Sequence, residues 1–267
     1  SSPISTTKLT GNYNLLTLNK TNNTQTINLT NDITTTGDQR YNGPVVLSSG
    51  NRTLTTGTSN DDIFFESTVN SDGTARSLTV TAGTNSSGGI ITFTGAVGGT
   101  SELSALTSKS EYFKAGSSIR LAGLLDIDVY SHSTGATYGI AGAIVDGSSA
   151  ASLNKGGSSS KYLELLGNNS YTGSTTIEAG YLKITNDSPH TFLNNTTITG
   201  PGHLLIVPAN TNFSSTLSMS DINFSGANIR QLHLGKSGTS TKLVLNENIS
   251  TDGEIYIRMP VEVNGGD

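Results

Sequence analysis

Two aspartates spaced two residues apart are the strongest candidates for chemistry in this sequence. Asp126 and Asp128 stand in the segment Leu-Leu-Asp-Ile-Asp-Val. On a β-strand, residues two apart face the same side, so the two carboxylates would lie close together on one face. Such a pair could perform acid/base catalysis or bind calcium. The alternative, which we favour, is an exposed strand face with Leu125, Ile127 and Val129 turned inward.

A second acidic group consists of Asp61, Asp62 and Glu66, in a polar stretch that follows Gly57. Turn chemistry accounts for aspartates there, because their side chains bond readily to nearby backbone. The histidines show no zinc-binding spacing, and no Gly-x-Ser-x-Gly elbow is present. They are His132, His190, His203 and His233. The sequence therefore assigns no catalytic, cofactor-binding or metal-binding residue, and it predicts a protein that is not an enzyme.

Sequons for N-glycosylation, Asn-x-Ser/Thr, are modestly more frequent than the composition alone would give. The chain has 12 of them, against roughly 7 expected from random placement. Compositional coincidence is the simpler explanation, and glycosylation stays open beside it. The sequons begin at Asn19, Asn22, Asn28, Asn51, Asn85, Asn168, Asn186, Asn194, Asn195, Asn212, Asn223 and Asn248.

The composition is that of strands and tight turns. The 267 residues include 75 Ser plus Thr, 25 Asn and 31 Gly. Threonine suits a pleated strand, while glycine and asparagine tolerate the positive φ of tight turns. Hydrophobic residues make up 33% of the chain and recur in short clusters, which opposes disorder. The chain has no tryptophan and few other aromatics, which opposes an aromatic sugar-binding groove.

Charge, apolar runs and cysteine content limit the partners and the cellular compartment that the sequence allows. A formal charge of −5, with the 15 Lys and Arg scattered, opposes nucleic-acid binding. No apolar run approaches the length of about 20 residues that crosses a bilayer, so the sequence predicts no transmembrane helix. The chain contains no cysteine, which favours export as an unfolded thread through an outer membrane. No signal peptide is present, and both ends fall in mid-pattern, so we expect a fragment or a processed piece of a longer protein.

Short alternating apolar segments recur at a regular spacing. Residues 26–29, 77–80 and 182–184 are examples, each with apolar positions two apart. Residues 180–184 match residues 202–206 with an offset of 22. Repeats of roughly 20 to 25 residues with short strands and polar turns are typical of a solenoid, whose repeats bury their apolar faces only by stacking. At this spacing the chain would make about 12 rungs, on the order of 55–60 Å in length.

The fold class that we predict is all-β: a right-handed parallel β-helix with irregular loops. Leucine, isoleucine, valine and phenylalanine would form inward ladders along it. One continuous segment would span residues 1–267. Two stretches break the pattern and predict extra-helical loops, at residues 102–118 and 146–160, of which the first could instead hold a short helix. If the chain binds a receptor, these loops are where we expect contact, because binding residues often lie on loops of a rigid scaffold.

One part of the sequence resembles the passenger-associated repeat of autotransporters. Residues 139–147 form a glycine-flanked apolar stretch, and residues 152–157 read Ser-Leu-Asn-Lys-Gly-Gly. Residues 168–173 read Asn-Asn-Ser-Tyr-Thr-Gly, and residues 180–184 read Gly-Tyr-Leu-Lys-Ile. The likeness covers about 46 residues. It departs from the repeat at Tyr181, where a small residue is more usual.

A second part is similar to repeats of filamentous-haemagglutinin-like exoproteins. Residues 36–47 read Thr-Gly-Asp-Gln-Arg-Tyr-Asn-Gly-Pro-Val-Val-Leu, and residues 93–99 read Phe-Thr-Gly-Ala-Val-Gly-Gly. The repeat context of Tyr41 and Tyr171 suggests structural roles for both. The Asn-Pro-Asn motifs of the two-partner secretion domain are absent, so the resemblance implies a downstream part of the rod.

Together, the resemblances imply a bacterial adhesin, secreted or held on the outer-membrane surface. Its rod would bind host cells or present a binding region, with a host glycan or protein as receptor and an outer-membrane transporter as its partner during secretion. One alternative is the rod of an exported toxin or haem-scavenging exoprotein. A polysaccharide-cleaving β-helix enzyme, which would use clustered acidic groups such as Asp126 and Asp128, is less favoured. No cofactor is expected.

Overall fold

The structure is a computed structural model. It describes residues 4–5, 13–18, 24–57, 60–83, 89–131, 138–189, 193, 196–222, 228–246 and 251–263.

Regular structure in these residues is almost entirely β, as the composition predicts. A 3-10 turn, η1, spans Met219–Asp221. The strands are β1 Ile4–Ser5, β2 Leu16–Leu18, β3 Ile27–Leu29, β4 Ile33–Thr34, β5 Gln39–Tyr41, β6 Val45–Leu47, β7 Arg52–Thr55, β8 Ile63–Phe65, β9 Val69–Ser71, β10 Arg76–Thr81, β11 Ile90–Phe93, β12 Leu103–Ser110, β13 Tyr112–Ala115, β14 Ile119–Leu121, β15 Leu124–Val129, β16 Gly139–Ile140, β17 Ile144–Asp146, β18 Ser152–Gly157, β19 Tyr162–Leu165, β20 Thr175–Ile177, β21 Tyr181–Thr185, β22 Ile198–Thr199, β23 His203–Val207, β24 Leu217–Ser218, β25 Gln231–Leu234, β26 Leu243–Leu245, β27 Glu254–Ile257 and β28 Val261–Val263.

Successive segments of the chain add strands to the same parallel sheets. Among the described residues, the main sheet has 11 strands in the order β2-β5-β8-β11-β13-β16-β19-β21-β23-β25-β27. The second sheet has 10 strands, and its longest path runs β4-β7-β10-β12-β15-β18-β20-β22. Smaller sheets follow the orders β1-β3-β6-β9 and β24-β26-β28. Between β4 and β23 the chain moves to and fro between these sheets. This arrangement fits the predicted parallel β-helix.

The spacing of the main-sheet strands agrees broadly with the predicted repeat, although it is uneven. Leu165 pairs with Ile184, whereas Phe65 pairs with the more distant Phe93. The length of the connecting turns therefore differs from one repeat to the next. The register predicted between residues 180–184 and 202–206 is the one observed, since Leu182 pairs with Leu204.

The core consists of ladders of apolar side chains between the sheets, and the predicted inward ladders are confirmed. Leu163, Leu182, Leu204 and Leu232 follow one another across four strands of the main sheet, each buried to 1% exposure or less. Such short strands are stable only when stacked neighbours cover their apolar side chains. Each fully covered leucine contributes roughly 1.5–3 kcal/mol relative to an exposed one.

The residues predicted to form loops at 102–118 form strands instead. They hold β12 and β13, which belong to the second and main sheets. A bulge explains the error: the β10–β12 register shifts between Arg76 and Ser77, so Leu103 and Leu106 are both buried although they are three residues apart. Ser108 and Ser110, two polar residues, also occupy buried positions. The alternation that marks a strand is therefore lost from the sequence.

The loop predicted at residues 146–160 is interrupted by a strand. It contains β18, which pairs with β15 over six residues. Loop structure is confined to the turns on either side of that strand. Leu153 is buried, and so is Lys155. The Ser, Gly and Lys content of this strand concealed it, because a lysine at an inward position reads as polar surface.

Turn asparagines and aspartates connect several strands to the next one in the sheet. Asp38 Oδ1 accepts a hydrogen bond from the Asp62 backbone N–H at 2.8 Å, and Asp62 Oδ1 accepts one from Ile90 at 2.6 Å. Asn51 Oδ1 accepts from the Ser77 N–H at 3.0 Å. These contacts satisfy backbone donors at strand starts. The Asp62 side chain thus bonds to the backbone of a neighbouring strand, whereas the prediction placed it in local turn contacts.

Stacked aromatic rings inside the core provide a test of the inward ladder. The Phe65 ring lies between Tyr41 and Phe93, with centroids 5.0 and 4.6 Å away and nearly parallel planes. Its neighbour Phe64 faces outward beneath the Arg40 guanidinium, 4.3 Å from the ring centroid. Phe65→Ala should therefore lower the free energy of unfolding by about 3–5 kcal/mol. Phe64→Ala, the matched control, should cost only about 0.5–1 kcal/mol. Urea unfolding measures both, and equal costs would contradict the orientation.

Candidate functional site on the outer sheet faces

The aspartate pair lies on the outer face of the second sheet, as the favoured interpretation predicts. Leu125, Ile127 and Val129 are buried to 1% exposure or less, whereas Asp126 and Asp128 are partly exposed between them. The orientation of β15 is thus the one that the alternation indicates. Parallel pairing sets their neighbours across the sheet, and those neighbours decide what the carboxylates can do.

Asp128 and Glu178 converge over a glycine, and we call Asp126, Asp128, Gly156 and Glu178 the acidic notch. Gly156 is the partner of Asp128 in β18. An ideal Cβ on Gly156 would lie 2.1 Å from Asp128 Oδ1 and 3.6 Å from Glu178 Oε2. The Asp128 carboxylate thus occupies the space above Gly156, and a side chain at residue 156 would displace it. Sequence reasoning missed Gly156 and Glu178, which only the register brings to Asp128.

The negative charges of the acidic notch are partly offset by a hydrogen-bond donor and a lysine. Burial is the main cause that raises the pKa of Asp126, and the charges of Asp128 and Glu178 add to it. A hydrogen bond from Asn154 Nδ2 to Asp126 Oδ1, at 2.9 Å, opposes the rise. Lys109 Nζ lies 3.5 Å from Asp128 Oδ2. An acid whose pKa is raised in the folded state is a candidate proton donor.

A buried lysine lies directly beneath the notch. Lys155 is fully buried, and its ammonium donates hydrogen bonds of 2.8 Å to the carbonyl oxygens of Gly156 and Ala179. Burial lowers its pKa to about 8, while the charge of Asp128 acts in the opposite direction. The lysine holds the backbone after β20 against β18. This contact gives a physical reason for the lysine in the passenger-like Leu-Asn-Lys-Gly-Gly segment.

Because the pKa of Asp126 is raised, the direction in which its replacement changes the stability of the fold can be predicted. Its folded-state pKa lies above the unfolded value of about 3.9, so the ionised form destabilises the fold at neutral pH. Asp126→Asn should raise the urea midpoint at pH 7 while keeping the amide contact to Asn154. The gain should shrink as the pH falls through the folded-state pKa and vanish below about pH 3.9.

Asp72 is the matched control, because its pKa is lowered to about 2, first by the Arg76 guanidinium and then by the Ser49 N–H. Asp72→Asn should lower the urea midpoint at pH 7. That loss should disappear as the pH falls from about 3.9 towards about 2. Changes of the same sign in Asp126→Asn and Asp72→Asn would contradict the assignment.

An aromatic stripe, defined as Tyr162, Tyr181 and His203, runs across the outer face of the main sheet. The three residues occupy one register position in β19, β21 and β23. Ring centroids are 4.4 Å apart for the tyrosines and 4.2 Å apart for Tyr181 and His203. The ring faces cover one another, so the stripe presents ring edges rather than a flat platform for a sugar. Composition did not reveal it, because its members are far apart in the sequence.

The two described histidines, His203 and His233, show no metal centre. His203 and His233 lie on the main sheet, and burial is the main cause that lowers the pKa of each. His132 and His190 lie outside the described residues. Within the described part of the chain, no group of three or more His, Cys, Asp or Glu is arranged to hold a metal ion.

Five of the twelve sequons fall on described residues, and the turn contacts use several of them. Asn212 Oδ1 accepts hydrogen bonds from Ser240, and Asn186 Nδ2 donates to Asn168 Oδ1 at 2.8 Å. The described sequons are Asn28, Asn51, Asn168, Asn186 and Asn212. Those at Asn19, Asn22, Asn85, Asn194, Asn195, Asn223 and Asn248 lie outside the described residues.

Two shallow recesses lie away from the notch. One of about 360 Å³ is lined by polar residues and has Ile184 and Pro189 in its wall. The other, of about 330 Å³, lies where Glu102 meets Arg120 and Ser148. Neither is lined by Asp126 or Asp128, which are partly exposed on the outer face of the sheet. Such a surface does not exclude water, as enclosed active sites do.

Comparisons with known proteins give no relative. The chain matches no protein-family model, no curated protein and no solved structure. In the described residues no helix has the length and apolar character that crossing a bilayer requires.

Proposed function

We propose that this chain is a right-handed parallel β-helix that serves as the rod of an exported bacterial surface protein, most simply an adhesin. The observation that carries the proposal is the repeated return of the chain to one parallel sheet, at intervals close to the predicted repeat, with apolar ladders inside. In a solenoid each repeat contacts only its neighbours, which makes a long, stiff body. Such a body suits the projection of a binding region from a cell surface.

The two resembling segments support the same proposal. In the passenger-like segment, Tyr171 is fully buried and its hydroxyl bonds to Thr175 Oγ1 at 2.6 Å. Gly173 packs against the preceding strand, since a Cβ there would lie 2.2 Å from the Ala151 carbonyl oxygen. In the haemagglutinin-like segment, Tyr41 is buried against Phe65. The motif residues thus have structural tasks that a stacked parallel fold would impose.

Export fits the lack of disulfides and the local character of the contacts. Without cysteine, the chain could pass an outer-membrane transporter as an unfolded thread and then fold repeat by repeat outside. The receptor would be a host glycan or a host protein. The rod of an exported toxin or haem-scavenging exoprotein is the second candidate, and it would use the same architecture.

The acidic notch keeps a polysaccharide-cleaving β-helix as a further alternative. Asp126, with its raised pKa, would supply the proton, and Asp128 or Glu178 would act as the base. Its open position on the sheet is unfavourable for catalysis, and for this reason we place it last. Release of reducing ends from an acidic polysaccharide, lost in Asp126→Asn, would promote this alternative over the adhesin.

Removal of one whole repeat tests the solenoid architecture. Leu182 and Leu204 hold the same register position in adjacent strands. Deletion of residues 182–203 should join Tyr181 to Leu204 and leave every later strand in phase. The shortened chain should keep its β circular-dichroism spectrum and a cooperative thermal transition. Deletion of residues 193–203, the control, should abolish the transition, because it places main-sheet residues in the turn. Unfolding of both variants would contradict a repeat architecture.

Binding tests the adhesin function. The purified chain should bind cultured epithelial cells or a mixed glycan array saturably, if this part of the rod carries the receptor contact. The heat-unfolded chain is the control for non-specific binding. Saturable binding by the folded chain alone would support the adhesin, whereas absence of binding by a well-folded chain would point to a passive stalk or to the toxin alternative.

A further inference from the structure

Two pairs of tyrosines stack on the outer surface along the main sheet. Tyr162 and Tyr181 oppose each other in β19 and β21, with ring centroids 4.4 Å apart and planes at 15°. The rings of Tyr112 and Tyr138 are 4.5 Å apart, with planes at 29°. All four side chains are partly exposed. A soluble oxidant can therefore reach both pairs, in contrast to the buried Tyr41.

We propose that each pair is a modification site at which one-electron oxidation joins the two tyrosines by a carbon–carbon bond between successive repeats. The oxidant class is a haem peroxidase with hydrogen peroxide. Each phenol loses one electron and one proton to give a phenoxyl radical. The two radicals couple at ring carbons next to the hydroxyls, and the hydrogens on those carbons move to the oxygens. The peroxide takes up both electrons and both protons and becomes two molecules of water.

The sheet supplies the proximity that the coupling needs. Groups held together in reactive geometry behave as if at very high effective concentration. The backbone register fixes Tyr162 opposite Tyr181, so a radical on one ring has a single preferred partner. An ordinary tyrosine, with a pKa of about 10, is a neutral phenol at pH 7, and burial raises the pKa of Tyr162 further. The ring therefore loses its proton together with its electron.

The cross-link would supply what the composition lacks. The chain contains no cysteine, and so it has no disulfide to join repeats. Tyr181 is also the residue at which the sequence departs from the passenger-associated repeat, and it is the residue that completes the stack. This proposal stands on the ring geometry alone and does not depend on the adhesin function.

Peptide mapping after oxidation tests the proposal. The folded chain is treated with peroxidase and hydrogen peroxide, and intact mass should fall by two hydrogens for each bond. Digestion with trypsin and a glutamate-specific protease should then give residues 162–164 joined to 179–183, and residues 112–114 joined to 121–155. Fragmentation of the second product should locate its bond at Tyr138 and not at Tyr130. Dityrosine fluorescence should follow the same time course.

Two phenylalanine variants separate the stacked pairs from general tyrosine reactivity. Tyr181→Phe keeps the ring and the fold, so it should lose the 162–164 to 179–183 product while retaining the other. Tyr256→Phe is the matched control, because Tyr256 lies on the same sheet but stacks on His233. It should retain both products. The Tyr181→Phe circular-dichroism spectrum should equal that of the parent chain.

The proposal fails if the folded chain forms mainly intermolecular bonds, or bonds at Tyr13, Tyr130 or Tyr256. It also fails if chain unfolded in urea gives the two paired products in the same yield, since proximity in the sheet would then contribute nothing. A tenfold or greater loss of both products on unfolding is the result expected from fixed neighbours.

Discussion

The hydrogen bonds between successive parallel strands are the interaction on which every other feature of this molecule depends. The described strands are two to eight residues long, too short to hold a sheet without stacked neighbours. The bonding continues past the strand ends, where Val45 N–H donates to the Thr68 carbonyl oxygen and Ser152 N–H to that of Gly123. A slip of one residue would turn each inward ladder outward. The buried phenylalanine and leucine ladders are thus what fixes the register.

That register creates the surface groups as well as the core. Asp128, Gly156 and Glu178 come from three separate strands or turns, and only their alignment makes a notch. Tyr162 and Tyr181 meet for the same reason. The outer faces therefore carry combinations of side chains that no local segment of the sequence contains. Asparagine and aspartate in the turns complete the alignment, because their oxygens accept from the N–H groups of the next strand.

Two kinds of sequence pattern gave correct predictions: the alternation of apolar residues within a strand, and the offset between similar segments. The outward position of Asp126 and Asp128 follows from alternation within one strand, and the pairing of residues 180–184 with 202–206 follows from the offset between repeats. It failed at residues 102–118, where a bulge and buried serines interrupt the alternation. Glu178 and the tyrosine pairs were not found from sequence, because the uneven repeat length leaves the partners of most outward residues undetermined. From sequence, Lys155 is expected on the surface; only the structure shows that two carbonyl oxygens bind its buried ammonium.

The uneven length of the strands bears on how the proposed β-helix would carry tension. If the strands stack along an axis, a pull from end to end loads the strand pairings in series, and the shortest pairing on each side yields first. In the main sheet β16 pairs with β13 over two residues and with β19 over one, Ile140 with Leu165. At the same level, β15 pairs with β18 over six residues in the second sheet. Under load the main sheet would open at β16 first, while the longer pairing of β15 with β18 would hold the second sheet together, so the β-helix would bend at this level before it broke.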